Sequence, residues 1–192
     1  MPHSGLARTI LRCAAFAAIV VVVSAAAARA TVVLPADLSD LVQGSTAIVH
    51  GRVTDVRAEW ADGRRRIDSY VTVAVATYLK GSLGPTVTFK VPGGEMGAYR
   101  SIMVGAPTFS AGEEVILFLG SRGPSVPYVL GLSQGVFRVI ADPATSGRLV
   151  VPPALVAGEG KVVRGDPARR TPTIEQFAAD VRALMARPQG AR

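Results

Sequence analysis

Apolar residues recur at every second position through the middle of this chain, and that alternation is what most constrains its fold. Val71, Val73 and Val75 point one way while Tyr70, Thr72, Ala74 and Tyr78 point the other. Val87, Phe89 and Val91 repeat the pattern, and so do Ala47, Val49, Gly51 and Val53. Period two is the repeat of a pleated strand with one face buried. The pattern predicts a strand over 47–56 with a bulge or bend at Gly51. A long second strand over 67–79 pairs with it as a hairpin across the loop from Ala61 to Arg66, where Asp62-Gly63 is a turn dipeptide. A third strand covers 86–91. Val115 to Leu119 is apolar on both faces and too short for a helix, so it reads as a central strand. Further strands are expected over 128–132 and 135–140, with 149–151 closing a hairpin on the latter. Six or seven strands at this spacing predict an antiparallel barrel or sandwich. The long first hairpin and the bend at Gly51 favour a small barrel, because closing a sheet requires such bends.

Helical signals stand only at the two ends of this β region. Leu38, Leu41 and Val42, with Asp37 and Asp40 among them, predict a short amphipathic helix ended by Gly44. Residues 157–172, rich in Gly, Arg and Pro, read as a linker. Thr173-Ile174-Glu175-Gln176 has the form of a capping box, and Ile174, Phe177, Val181 and Leu184 follow at helical spacing. The fold class is therefore mainly β. A barrel domain spans 31–156, a C-terminal amphipathic helix spans 173–187, and 188–192 form a frayed tail. The apolar stripe of that helix is expected to pack on the chain's own barrel.

Residues 1–30 have the three parts of a secretory signal. Arg8 and Arg12 make a basic start, Cys13 to Val23 is an unbroken apolar run, and Ala28-Arg29-Ala30 fits a signal-peptidase site. The apolar run is shorter than the roughly 20 residues that span a bilayer. The mature chain is expected to begin at Thr31 and to work in the periplasm or outside the cell, without stable membrane insertion. The only cysteine, Cys13, lies in the signal, which leaves no disulfide and no Cys-based metal site. The formal charge of +7 includes Arg8, Arg12 and Arg29. Most of the remaining excess lies beyond Asp142, so the body is close to neutral and has no electrostatic case for nucleic acid.

Chemistry-bearing residues are few. His50 is the only histidine after the signal; it lies mid-strand among apolar residues and reads as structural. A zinc site needs three or four protein ligands, and a hydroxyl nucleophile needs a nearby base. Neither motif is present, so no catalytic residue, metal or cofactor is assigned. Glu113-Glu114 resembles a carboxylate pair, but neighbours in a strand face opposite sides. Arg64-Arg65-Arg66 reads as a solvated hairpin tip, with Trp60 covering one end of the barrel. Gly131 to Gly135, around Gln134, reads as a tight turn. Pro92 to Gly97 carries three glycines and reads as a shaped loop, either a turn whose Glu95 is solvated or a binding loop that offers Glu95 and Met96 to a partner.

Two resemblances follow from longer strings. Gly93-Gly94-Glu95, Pro107 to Phe109, Gly112-Glu113-Glu114, Leu117-Phe118-Leu119 and Gly131-Leu132-Ser133-Gln134-Gly135-x-Phe137 resemble a family of small exported bacterial proteins with no established activity. More distantly, the order of parts resembles the netrin-like OB barrel of tissue inhibitors of metalloproteinases. A short helix leads into Ala47-Ile48-Val49-His50-Gly51-Arg52-Val53, a long strand ends at Tyr78-Leu79-Lys80-Gly81, and Val87-Thr88-Phe89-Lys90-Val91 and a Pro/Gly loop follow. That resemblance implies an OB-like barrel. It also implies a binding edge in which Thr31, Val32, Val33 and Leu34 lie beside Gly93, Gly94, Glu95 and Met96. The chain departs from those inhibitors by having Thr31 in place of their first cysteine and no disulfide. The expected function is an exported, non-enzymatic binding module with a protein partner such as a secreted metalloprotease. The alternatives are an envelope protein that contacts lipid or another subunit, and a hydrolase.

Overall fold

The computed structural model of the protein describes residues 36–123, 125–153, 155–156, 162–163 and 171–187. Two 15-residue strands, β1 (Ala47–Ala61) and β2 (Arg66–Lys80), form the predicted antiparallel hairpin. β3 (Thr86–Pro92) pairs with β2, and β6 (Glu114–Gly120) pairs with the first half of β1. The short β7 (Tyr128–Val129) bridges β6 and β3. The order β1-β2-β3-β7-β6, returning to β1, closes a five-strand barrel. Its last seam, Lys90 beside Tyr128, is parallel, so the barrel is not wholly antiparallel. β8 (Val136–Ala141) and β9 (Arg148–Val151) extend the sheet beyond β6.

β6 joins the barrel to its extension, pairing with β1, β7 and β8, while β1 bends to pair with β2 along its length and with β6 over its first half. The register of β1 against β2 shifts between His50 and Gly51 and again between Val53 and Asp55. A side chain at Gly51 would bring a Cβ within 2.4 Å of the Ala74 carbonyl oxygen, so only glycine allows that approach. The second shift exchanges the faces of β1. Val49 and Val53 point into the barrel, and beyond the bulge Arg57 stands on the outer side with Tyr70.

β6 explains why a run can be apolar on both faces. Val115, Leu117 and Leu119 enter the barrel beside Val73, Phe89 and Val129. Ile116 and Phe118 point outward into a second core with Ile48, Phe137, Val150, Phe177 and Val181. That second core is roofed by α1 (Leu38–Gly44) and α2 (Ile174–Met185). The C-terminal helix thus packs on its own sheet. Thr173 caps α2 through the Gln176 N–H, and the Gln176 side chain accepts from the Thr173 N–H. Among the described residues no helix is long and apolar enough to cross a membrane.

Three stretches differ from the sequence expectation. The strand expected over 128–132 stops at Val129. Leu130 and Gly131 turn the chain, and Leu132–Gly135 form a 3-10 turn with Gly131 and Leu132 at positive φ. The loop after β3 is a hairpin in part, β4 (Gly94–Met96) on β5 (Tyr99–Ser101). Inside the stretch read as a linker, β11 (Val162–Val163) pairs with β10 (Leu155–Val156). The signal segment and the tail 188–192 lie outside the described residues.

Candidate functional site

The β4–β5 hairpin and the segment 102–109 cover one end of the barrel, and a cavity of about 410 Å³ lies between them and the barrel strands. Its apolar wall includes Val56, Val71, Ala106 and Phe109, and its polar rim includes Ser69, Glu95, Arg100 and Thr108. Phe109 closes the floor edge-on to Phe89 of the barrel core, with ring centroids 5.3 Å apart. Arg138 holds the segment from outside. It pairs with Glu113, donates to the Thr108 carbonyl at 2.6 Å and lies over the Phe109 ring.

Of the expected binding edge, Gly93, Gly94 and Glu95 line this cavity and Met96 does not. Thr31, Val32, Val33 and Leu34 lie outside the described residues. The glycines have a packing purpose that the sequence does not reveal. A Cβ on Gly94 would stand 2.7 Å from Ser69 Oγ and 3.1 Å from Ile67 Cγ2, so the hairpin needs a bare backbone there. The Ser69 hydroxyl donates to the Gly93 carbonyl at 2.7 Å and ties the hairpin to β2. Glu95 is not free, since its carboxylate meets Arg100 across the hairpin at 3.0 Å. Both groups are well exposed, so this pair adds little stability.

Sequence reasoning missed the most conspicuous feature of this end. Ile102 is 73% and Val104 88% exposed, with Met103 and Tyr99 also exposed beside them. Isolated exposed apolar residues are ordinary, but here several stand together beside a cavity. The available signal is three apolar residues without alternation, set between Ser101 and Gly105, too short for a strand. Trp60 meets Tyr99 of the lip edge-on at 5.3 Å.

His50 and Glu114 meet elsewhere, on the outer face at the margin of the second core. His50 Nε2 donates to Glu114 Oε1 at 2.8 Å, and Arg52 and Arg148 also pair with that carboxylate. Burial by itself raises the Glu114 carboxyl. The hydrogen bonds from His50 and Arg148, and the charges of both, outweigh it, so the carboxyl sits below its ordinary value of 4.5. Glu113 points to the opposite face and pairs with Arg138, so the two carboxylates do not converge. A carboxylate engaged by three donors, with a buried histidine, is built to join β1, β6 and β9. Gln134 is buried in the 3-10 turn and accepts from the Ala36 N–H. At the hairpin tip Arg66 pairs with Asp62 and Asp68, and Arg64 and Arg65 are exposed. Among the described residues no group of three or more His, Cys, Asp or Glu side chains is placed to hold a metal.

The class these features define is a closed five-strand barrel with a second, helix-roofed core and an apolar lip at one barrel end. No family model matches the chain, and neither a curated protein nor a solved structure matches it.

Proposed function

We propose that this protein is an exported, non-enzymatic binding module on an OB-like barrel, and that it engages a protein partner through the barrel end formed by 93–109. The observation that carries the reading is the lip Ile102-Met103-Val104, exposed beside a cavity with apolar walls and a polar rim. A partner side chain entering the cavity would bury the lip and meet Glu95, Arg100 and Thr108 at the edge, the usual arrangement of apolar centre and polar rim. The OB-like reading is supported by the strand order first-second-third-fifth-fourth and by the parallel closure of third on fifth. Fold alone does not carry function. The non-enzymatic reading is supported by the engagement of His50 and Glu114 in a structural cluster.

A secreted metalloprotease is the partner class that the resemblance implies, with Thr31 to Leu34 completing the edge. The test uses the mature chain from Thr31, the same chain extended by one alanine, and an Ile102→Ser, Val104→Ser double variant. Each is assayed for inhibition of secreted metalloproteases and for change in the fluorescence of Trp60, the only tryptophan. Inhibition that both changes abolish supports the full reading. Binding lost only in the double variant keeps the lip and removes the N-terminal edge. Binding that survives in the double variant overturns the proposal. The lip also favours a second reading, contact with a lipid surface, which predicts vesicle binding that the same double variant loses. Export is tested by N-terminal sequencing of secreted protein, with Thr31 as the expected first residue.

A further inference from the structure

A strand edge stands open beside the lip cavity. β6 pairs with β1 only from Ala47 to Arg52. Val53 makes the last bonds on that side, its N–H donating to the Glu113 carbonyl and its carbonyl accepting from the Gly112 N–H. From Thr54 to Ala61, β1 is paired with β2 on one side and, among the described residues, with no strand on the other. The ladder fixes which groups are left over. The Val75 N–H donates to the Pro85 carbonyl and the Ile67 carbonyl accepts from the Gly93 N–H, so the odd-numbered residues of β2 bond toward β3. Successive residues of an antiparallel ladder bond to opposite sides. Thr72, Tyr70 and Asp68 therefore bond toward β1 and engage Asp55, Arg57 and Glu59, the residues opposite them. Val56, Ala58 and Trp60 turn their N–H and C=O groups to the open side.

An edge is usually protected by proline, by an inward-pointing charge or by a covering segment. Between Thr54 and Ala61 there is no proline, and the inward positions are Val56, Ala58 and Trp60. The one bulge, at Thr54, lies at the start of the edge. At the far side of the sheet the edge of β9 is covered, since the Val150 N–H donates to the Pro172 carbonyl and Leu149 bridges to Thr173. On the inner face, Val56 forms part of the cavity wall with Ile102 and Met103 of the lip. Open main-chain groups, cavity and lip thus adjoin one another.

We propose that the partner supplies an extended strand to this edge, antiparallel to β1 over 54–60 and continuing the line of β6. The inference rests on the reading of this barrel end as a protein-binding surface. An extended polypeptide repeats a donor and an acceptor at the two-residue step that Val56, Ala58 and Trp60 present, and a lipid surface offers no such repeat. Side chains opposite those three residues face inward, so the partner strand carries apolar residues there, set toward the cavity and the lip. Its intervening residues face outward, opposite Asp55, Arg57 and Glu59, where the complementary order is cation, anion, cation.

The test uses the mature chain from Thr31 and the peptide acetyl-Val-Lys-Val-Glu-Val-Lys-amide, methylated on its lysine and glutamate nitrogens. That peptide keeps one bonding edge, that of its valines, and cannot stack on itself. The comparison is the same peptide methylated on every nitrogen. Titration is followed by NMR of the backbone amides. The amides of Val56, Ala58 and Trp60 are expected to exchange fast in the free protein, and to shift and slow as the first peptide binds. Those of Asp55, Arg57 and Glu59, already bonded to β2, should keep their protection. Ala58→Pro removes a donor that faces the open side, where proline is tolerated, and should weaken binding about fivefold or more; thermal unfolding verifies its folding. No binding by the wild-type protein overturns the proposal, as does equal binding of the fully methylated peptide. Slow exchange of the three amides in the free protein does so too, because the edge is then already covered. A concentration-dependent dimer that Ala58→Pro abolishes would assign the edge to a second copy and also overturn it. The Ile102→Ser, Val104→Ser variant separates this inference from the reading beneath it. Binding lost there but kept in Ala58→Pro overturns the edge and keeps the lip; the reverse supports the edge and removes the lip.

Discussion

Single residues carry the joints of this molecule. Phe118 leaves the central strand into the second core, fully buried, with ring contacts to Phe137 at 5.4 Å and Phe177 at 6.4 Å. Phe118→Ala removes the ring from a site that the two neighbouring strands prevent from collapsing. The expected cost is about 3–5 kcal/mol in urea unfolding, and a loss within about 0.5 kcal/mol would place the ring outside the core. Glu114 sets a pH dependence. Its carboxyl is lowered in the folded state, so the unfolded chain binds more protons in the window below its ordinary 4.5. The Glu114 contribution is fully present above that value and is lost as pH falls through the lowered folded value. Glu114→Gln removes this part of the slope. Urea unfolding from pH 6 downward should show wild-type stability converging on that of the variant in acid. Parallel profiles would mean that the carboxylate contributes nothing specific.

At the scale of elements, alternation and turn chemistry placed most strands where they stand, and packing decided the rest. The first hairpin and the third strand follow from period two and the turns between, the central strand follows from a short run apolar on both faces, and the pair β8–β9 stands close to where the sequence placed it. The β4–β5 hairpin does not, because three glycines in six residues suppress every strand preference. Its existence depends on seating against Ile67 and Ser69 of β2. Gly94→Ala should therefore cost about 1–3 kcal/mol, as overpacking does, and should move the hairpin. Since Tyr99 touches Trp60, the fluorescence of Trp60 should shift in the folded variant. An unshifted spectrum with wild-type stability would show that the hairpin is not clamped there.

At the scale of the whole molecule, two cores share the strands β1 and β6. Neither core survives the loss of a shared strand, so barrel and helical roof should unfold together. Trp60 reports the barrel end, and helical circular dichroism reports chiefly α2. The two signals are expected to trace one coincident transition in urea. A helical signal lost well before the Trp60 signal would make the roof an independent unit.

Most of the strands and the cap of α2 were legible in the sequence because each rests on residues within one or two turns of the chain. Alternation, Asp62-Gly63, and Thr173 with Gln176 are local patterns with local causes. The mid-strand place of His50 was legible, though its partners were not. Glu114 lies 64 residues away and Arg148 nearly 100, and only the pairing of β1 with β6, and of β6 through β8 to β9, brings them together. The same holds for the lip, which stands beside a cavity that exists only once the barrel end is assembled. It holds for the open edge of β1, which exists only because the pairing with β6 stops at Arg52. Local sequence determined which segments became strands and helices. Closure of the sheet decided which distant side chains became neighbours, because register across strands is a property of the paired chain and of no single segment.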